Sequence, residues 1–437
     1  MNTPIRTRFT VAASLLAPAA LVVAAQPAFA HGGDPHERFV YVSTIAQSAD
    51  DPDFIAVIGA DPDHPDFGQI VNRVDMPNVG DEQHHFGYTA DQRRLIVPGL
   101  FSARIHVFDI DSDGSTMTLN VVNEDLVTDS GYTVPHGVMA MHGMMLAPMI
   151  GAANDQTQPG GVVQIDDRTG EFVDYFGPGP ERTEAESGPT YMYDFAVAPD
   201  GDRAISSTFG SPALCAPGID PTCLGDEVSV WDVRAEAVVQ TANLGANSGA
   251  LMVRFVREDG TRRAFINAPG TNAVWLASDD DGDGEFAFEQ VLDADDGLAL
   301  PMDVVLSYDG AYMYVSNWFG DTVQQFDISD PFQPVLRSTV AVPHPNMLRL
   351  SPDDGRLYVS NSLLTPWDND PDFGEPRNGD YGIWLFEVGS TGDLSPLHAD
   401  GSAWVGFTDI EKRTTTGPAG PHMMVFDPSV PPVEGEH

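Results

Sequence analysis

A short pattern recurs along this chain and leaves it little freedom of fold. An apolar strand ends at a small or acidic turn, a second strand reads like Arg-Leu-Tyr-Val-Ser-Asn, and a third ends near Phe-Asp. The pattern is clearest at Gln92–Val97 leading to Ile105–Asp109, at Ala311–Asn317 leading to Gln325–Asp327, and at Arg356–Asn361 leading to Trp384–Phe386. Less regular copies lie at Met144–Asp166, Arg203–Trp231 and Arg263–Trp275. Period-two alternation over runs this short marks antiparallel strands with one buried face, and repeated units of this kind bury that face by stacking on their neighbours. Phe39–Val57 supplies strands without a first one, while Pro421–Pro428 supplies a first strand with nothing after it. Joining the two ends completes a seventh unit, and closing the ring removes an exposed edge. The expectation is an all-β chain folded as a seven-bladed β-propeller closed by pairing of its N- and C-terminal strands, with six or eight blades as the alternative counts.

Composition agrees, since 42 glycines and 35 prolines in 437 residues suit many short strands and turns. Residues 1–30 read as a secretory signal peptide: Arg6 and Arg8 form a basic start, Val11–Ala25 an apolar core, and Ala28-Phe29-Ala30 a small-x-small cleavage site. Residues 31–437 are then a single propeller domain, periplasmic or secreted. No later segment approaches the roughly eighteen uninterrupted apolar residues of a membrane span. The net charge of -44 argues against nucleic acid and anionic membranes as partners. The two cysteines, Cys215 and Cys223, share a loop with Pro212, Pro217, Gly218 and Pro221. In an oxidising compartment they predict a local disulfide, which leaves no thiolate for a metal.

The first strand of each propeller blade lines the central channel. Aligning the units at their strand-to-turn junctions makes His84, His136, Tyr193, Leu251, Met302, Asn346 and His422 the first residues of the seven inner strands. His422, His84 and His136 thus fall on consecutive blades, in a chain with twelve histidines. Imidazole is a common ligand of copper and zinc, so their meeting at one mouth predicts a metal site, against the blander reading of polar fillers in a wet channel. His85 follows His84, and the pleat should turn its side chain away unless the strand bends there. It is either a fourth ligand or an outer group. Asp194 and Asp303 share the register of His85 and are candidates to orient a ligand or accept a proton. His344 is a reserve candidate. Ligand type favours copper over calcium, and zinc stays open.

At these residues the chain resembles the selenium-binding protein family, whose bacterial members include copper-dependent methanethiol oxidases. The resemblance is carried by Met76-Pro77-Asn78, by Asp81–Tyr88 with its His84-His85 pair, by Leu95–Ile105, and by Tyr193-Asp194-Phe195. It continues in Ser316-Asn317-Trp318, Phe326–Pro331, Leu357–Leu363 and Trp367-Asp368. It implies a seven-bladed propeller, copper held by His84, His85, His136 and His422, and oxidation of methanethiol by oxygen and water to formaldehyde, hydrogen sulfide and hydrogen peroxide. Asp194 or Asp303 would then be the base for attack by water. The chain departs from the family pattern in three places. Thr89-Ala90-Asp91 stands where many members have a cysteine pair, Met139 where the Pro-His-Thr-x-His segment has its second histidine, and Asp427-Pro428-Ser429 where a Gly-Gly-Asp tail is found.

Two acidic runs, Asp109–Gly114 and Asp279–Gly284, match the start of a calcium loop but lack its twelfth-position glutamate, so calcium competes there with a plain hairpin turn. His31-Gly32-Gly33 could also chelate copper, although a frayed terminus is the simpler description. The leading functional expectation is an exported copper oxidase of small thiols, with a small-molecule thiol and oxygen as its partners. The rivals are a non-catalytic copper-binding or interaction propeller and a lactonase-like metal hydrolase.

Overall fold

The computed structural model describes residues 37–153, 159–181, 188–215, 221–257, 261–370 and 380–428. The expected signal peptide, residues 1–30, and His31-Gly32-Gly33 lie outside them. Among the described residues the strands form seven antiparallel sheets arranged as the blades of a propeller, plus a small hairpin of Ile410–Glu411 with Thr416–Gly417. Numbering blades by inner strand, blade 1 begins at Gly87–Tyr88, blade 2 at Tyr132–Pro135 and Met139–Met141, blade 3 at Met192–Val197, and blade 4 at Val253–Phe255. Blade 5 begins at Pro301–Leu306, blade 6 at Leu348–Leu350, and blade 7 at Ala419–Phe426.

Blade 7 joins the two ends of the chain. Its inner strand comes from the C-terminus and pairs with Phe39–Ala46, followed outward by Phe54–Gly59 and Ile70–Asp75. Asp427 secures the seam: Oδ1 accepts the N–H groups of Arg38 and Phe39, both at 3.0 Å, and its own N–H donates to the Phe39 carbonyl. Every residue of Phe39–Ala46 and Ala419–Phe426 is buried, whereas the rim strand Val335–Ala341 of blade 5 is mostly exposed. Burial thus falls from axis to rim, which is why the inner strands read as continuous apolar runs.

The inner strands share an irregularity. In blade 7 Pro421 pairs with Thr44 and Met424 with Val42, so two residues, His422 and Met423, face Ser43 alone. Blade 3 repeats this with Tyr193 and Asp194 against Ser207, and blade 5 carries one extra residue at Met302. In blades 1 and 2 three residues face two across the break, at His84–Phe86 and at His136–Val138. Each is a bulge, which resets the pleat and re-aims side chains locally.

The recurring Ser of the second strands sits opposite these bulges and ties blade to blade. Ser43 Oγ donates to the Gln83 carbonyl at 2.9 Å, Ser316 to Asn346 at 2.6 Å, Ser360 to His422 at 2.7 Å, and Ser207 to Leu251. The residue after each first position continues the seam. Asp194 accepts the N–H of Val253 and Asp303 that of Leu348, both at 2.9 Å, and Met423 Sδ accepts that of Phe86 at 3.3 Å.

Candidate metal centre

The bulges of blades 7, 1 and 2 deliver four imidazoles to one place. The rings of His84 and His422 stack with centroids 3.7 Å apart, His84 and His85 with 4.8 Å, and His136 lies 4.2 Å from His85 and 5.1 Å from His84. One ring nitrogen from each of His84, His85 and His422 can be chosen so that all three lie within 4.8 Å of one another. Tyr193, the next first-position residue around the ring, covers the far face of His136 at 3.5 Å.

All four imidazoles are buried, and each keeps one nitrogen without a hydrogen-bond partner: Nδ1 of His84 and Nε2 of His85, His136 and His422. Buried polar atoms are nearly always paired, so bare nitrogens on four neighbouring rings, those of His84, His85 and His422 close enough to share an ion, describe a candidate donor set. For His422 the tautomer follows from the geometry. Nδ1 lies 2.8 Å from the Ser362 carbonyl, which can only accept, so Nδ1 carries the proton and Nε2 presents its lone pair. Asn346 Nδ2 braces the same carbonyl at 2.6 Å and sits 3.1 Å from the ring.

Burial is the main cause that lowers the pKa of each ring. His84 is pushed further down by His422 and His85, and His85 by His136 and His422. His136 is lowered also by His84 and His422, opposed by a hydrogen bond to the Tyr193 backbone. His422 falls to about 4, opposed by its bond to Ser362. The rings are therefore neutral at pH 7, the form that binds metal.

His85 faces the cluster because the ladder of blade 1 starts only at Gly87, which leaves His84–Phe86 free of the pleat. Asp194 and Asp303 have their oxygens engaged elsewhere. Besides the seam bonds, each accepts the N–H of the residue after it, at 2.9 and 2.8 Å. Both flank Arg254, at 3.1 Å from Asp194 and 3.6 Å from Asp303. Burial raises both carboxyls against the pull of Arg254, Asp303 to about 6. His344 stays out of the cluster, against Trp318 and 3.8 Å from Asp321.

Three supporting residues are invisible to motif reading or nearly so. Asn346 has a signal, because it occupies the register position that carries histidine on the neighbouring blade. Arg254 has none. Asp53 lies far off in sequence, yet its Oδ2 accepts the Gln83 N–H at 2.9 Å and so fixes the approach to His84. Of the acidic runs, Asp279, Asp281 and Asp283 bring carboxylate oxygens within 4.8 Å of one another, with Asp279 Oδ2 already paired to Arg262 at 2.8 Å. In the other run Asp109 pairs with Arg94 at 2.9 Å, and Asp113 caps Ser115. Cys215 and Cys223 form the expected disulfide.

Fold and site together define a seven-bladed propeller whose axis carries a buried imidazole cluster able to hold a metal ion. The 56kDa selenium binding protein family matches residues 23–427, and the chain belongs to that family. Among curated relatives it is 28% identical over 386 residues to a methanethiol oxidase of Danio rerio, covering 76% of this chain and 82% of that one. It is 26% identical over 456 residues to selenium-binding protein 2 of Arabidopsis thaliana, covering 90% and 91%. Among solved structures, a hypothetical selenium-binding protein from Sulfolobus tokodaii superposes with a TM-score of 0.78 at 24% identity, covering 90% of this chain and 94% of that one. A periplasmic gluconolactonase of Pseudomonas aeruginosa shares the fold at a TM-score of 0.61 and 14% identity, covering 89% and 98%.

Proposed function

We propose that this protein is an exported copper-dependent oxidase of small thiols, converting methanethiol, oxygen and water to formaldehyde, hydrogen sulfide and hydrogen peroxide. The observation that carries the reading is the set of four bare nitrogens on His84, His85, His136 and His422. All-imidazole, thiolate-free donors suit copper, with zinc the competitor by ligand type. The naming of several relatives as methanethiol oxidases supplies the substrate class. Copper held by these rings would supply redox chemistry and a Lewis-acid seat for sulfur.

The chain's own residues prepare that seat. The Ser362 carbonyl, itself braced by Asn346, accepts from His422 Nδ1 and leaves Nε2 with its lone pair, and Tyr193 packs against His136. Deep burial keeps bulk water off the rings. Asp194 and Asp303 hold Arg254 and the blade seams in this reading, because their oxygens are already engaged. Export is supported by the Cys215–Cys223 disulfide, a bond at home in an oxidising compartment. Calcium is assigned no part in the reaction, and its one remaining seat among the described residues is Asp279–Asp283.

Copper-loaded protein given methanethiol should consume oxygen and release peroxide, formaldehyde and sulfide in equal amounts. Methanethiol left untouched would defeat the substrate assignment. Tight copper binding without oxygen consumption across several thiols would favour the non-catalytic copper-binding reading. A lactonase-like hydrolase is disfavoured, because the first positions of blades 7, 1 and 2 present imidazoles in place of carboxylates.

A further inference from the structure

In blades 2, 3 and 5 the third strand closes on an aspartate that caps its own turn. Asp166 accepts the N–H groups of Arg168 and Thr169, Asp232 those of Arg234 and Ala235, and Asp327 that of Ser329. Blade 4 has Asp279 at this place, at the end of Ala273–Asp279, and uses it differently. Asp279 Oδ2 accepts Arg262 Nη1 at 2.8 Å and the N–H of Gly284 at 3.1 Å. Its Oδ1 has no partner, although the side chain is 0% exposed. A carboxylate oxygen buried bare is costly unless a cation or a donor meets it.

The hairpin that follows brings further carboxylates to it. Asp279, Asp281 and Asp283 each place one oxygen within 4.8 Å of the others. An ion that holds oxygens at about 2.3–2.6 Å, as calcium does, keeps them no more than about 5 Å apart. Asp280, the residue between, is taken up by Arg263 at 2.8 Å. The nearby cations are offset by carboxylates outside the hairpin, Arg262 by Asp200 at 2.6 Å and Arg203 by Asp232 at 3.2 Å. The matching run of blade 1 lacks this arrangement. Asp109 there is half-exposed, Asp113 is spent on Ser115, and among the described residues only the blade 4 run gathers three carboxylates.

We infer that Asp279, Asp281 and Asp283 form a calcium site in which no imidazole takes part. Hard carboxylate oxygens with water completing the shell suit Ca2+, and Asp281 and Asp283 on an exposed loop do not impose the tight octahedron that Mg2+ demands. The same hairpin is joined to blade 3, where the Gln240 side chain accepts from the Phe286 N–H at 2.8 Å and donates to its carbonyl at 2.7 Å. Calcium bound here secures the seam between blades 3 and 4, and an ion that binds only the folded chain stabilises it.

Calorimetric titration of CaCl2 into residues 31–437, freed of calcium with a chelator and held at fixed ionic strength, tests this. One site with a Kd of roughly 10−4–10−3 M is expected, the range of extracellular calcium modules. Asp281→Asn/Asp283→Asn changes exposed side chains only and should weaken binding at least about tenfold, with calcium no longer raising Tm. Asp111→Asn/Asp113→Asn, the same change in blade 1, should leave both effects intact, which separates a built site from a diffuse cation atmosphere around a chain of net charge -44. Absence of binding, equal affinity in wild type and the blade 4 variant, equal losses in the two variants, or magnesium bound as tightly as calcium would overturn the inference.

Discussion

At the scale of single residues, the centre depends on what lies behind each ring. Asn346 touches both the Ser362 carbonyl and His422 Nδ1. Groups that orient a ligand from behind typically contribute a factor of about 10–100 in metal affinity. Asn346→Ala should therefore weaken copper by that order, measured by competition with a chelator, while leaving the circular dichroism of the propeller intact. Asp303 supplies a pH test. Its folded pKa of about 6 lies above the usual carboxylate value of about 3.9, so the folded chain binds the proton more tightly. Stability associated with this group is present below about pH 4 and is lost as pH rises through about 6. The stability of Asp303→Asn relative to wild type should accordingly rise between about pH 4 and 6.5 in calorimetry of metal-free protein. The lost partner of Arg254 adds an offset that does not change this slope, so a pH-independent difference would refute the assignment.

At the scale of strands, the bulges do what period-two alternation cannot show. Register along the chain brings His84, His136 and His422 together, because the first position of a repeat is visible in sequence. It does not decide His85, because an ideal pleat sends neighbours to opposite faces, and the extra residue that breaks the pleat depends on partner strands far away in the chain. The same bulges put Asp194 and Asp303 on blade seams, although register alone makes them candidate proton acceptors. Seam hydroxyls are a direct check of this architecture. Ser43→Ala leaves the buried Gln83 carbonyl without its donor, a loss of about 1–3 kcal/mol, to be read from urea unfolding. Ser229 is a control, because its buried hydroxyl has no partner, and Ser229→Ala should change stability by less than about 0.5 kcal/mol.

At the scale of the molecule, closure is legible because the chain begins with strands that lack a first member and ends with a first member that lacks followers. Supports such as Arg254 and Asp53 are hidden because their partners come from neighbouring blades, and no local spacing records a contact between blades. A chain ending at Pro418 loses the whole of Ala419–Phe426, and with it the inner strand of blade 7 and His422. Such a chain should show no cooperative thermal transition, whereas one ending at Pro428 should retain it.

Metal content of the purified protein tests the central claim most directly. Residues 31–437, expressed with copper available, should carry about one copper per chain, as one closed donor set requires, and His84→Ala of equal secondary structure should carry less than about a tenth of that. Equal copper in the two proteins, or zinc in place of copper in the wild type, would contradict the account.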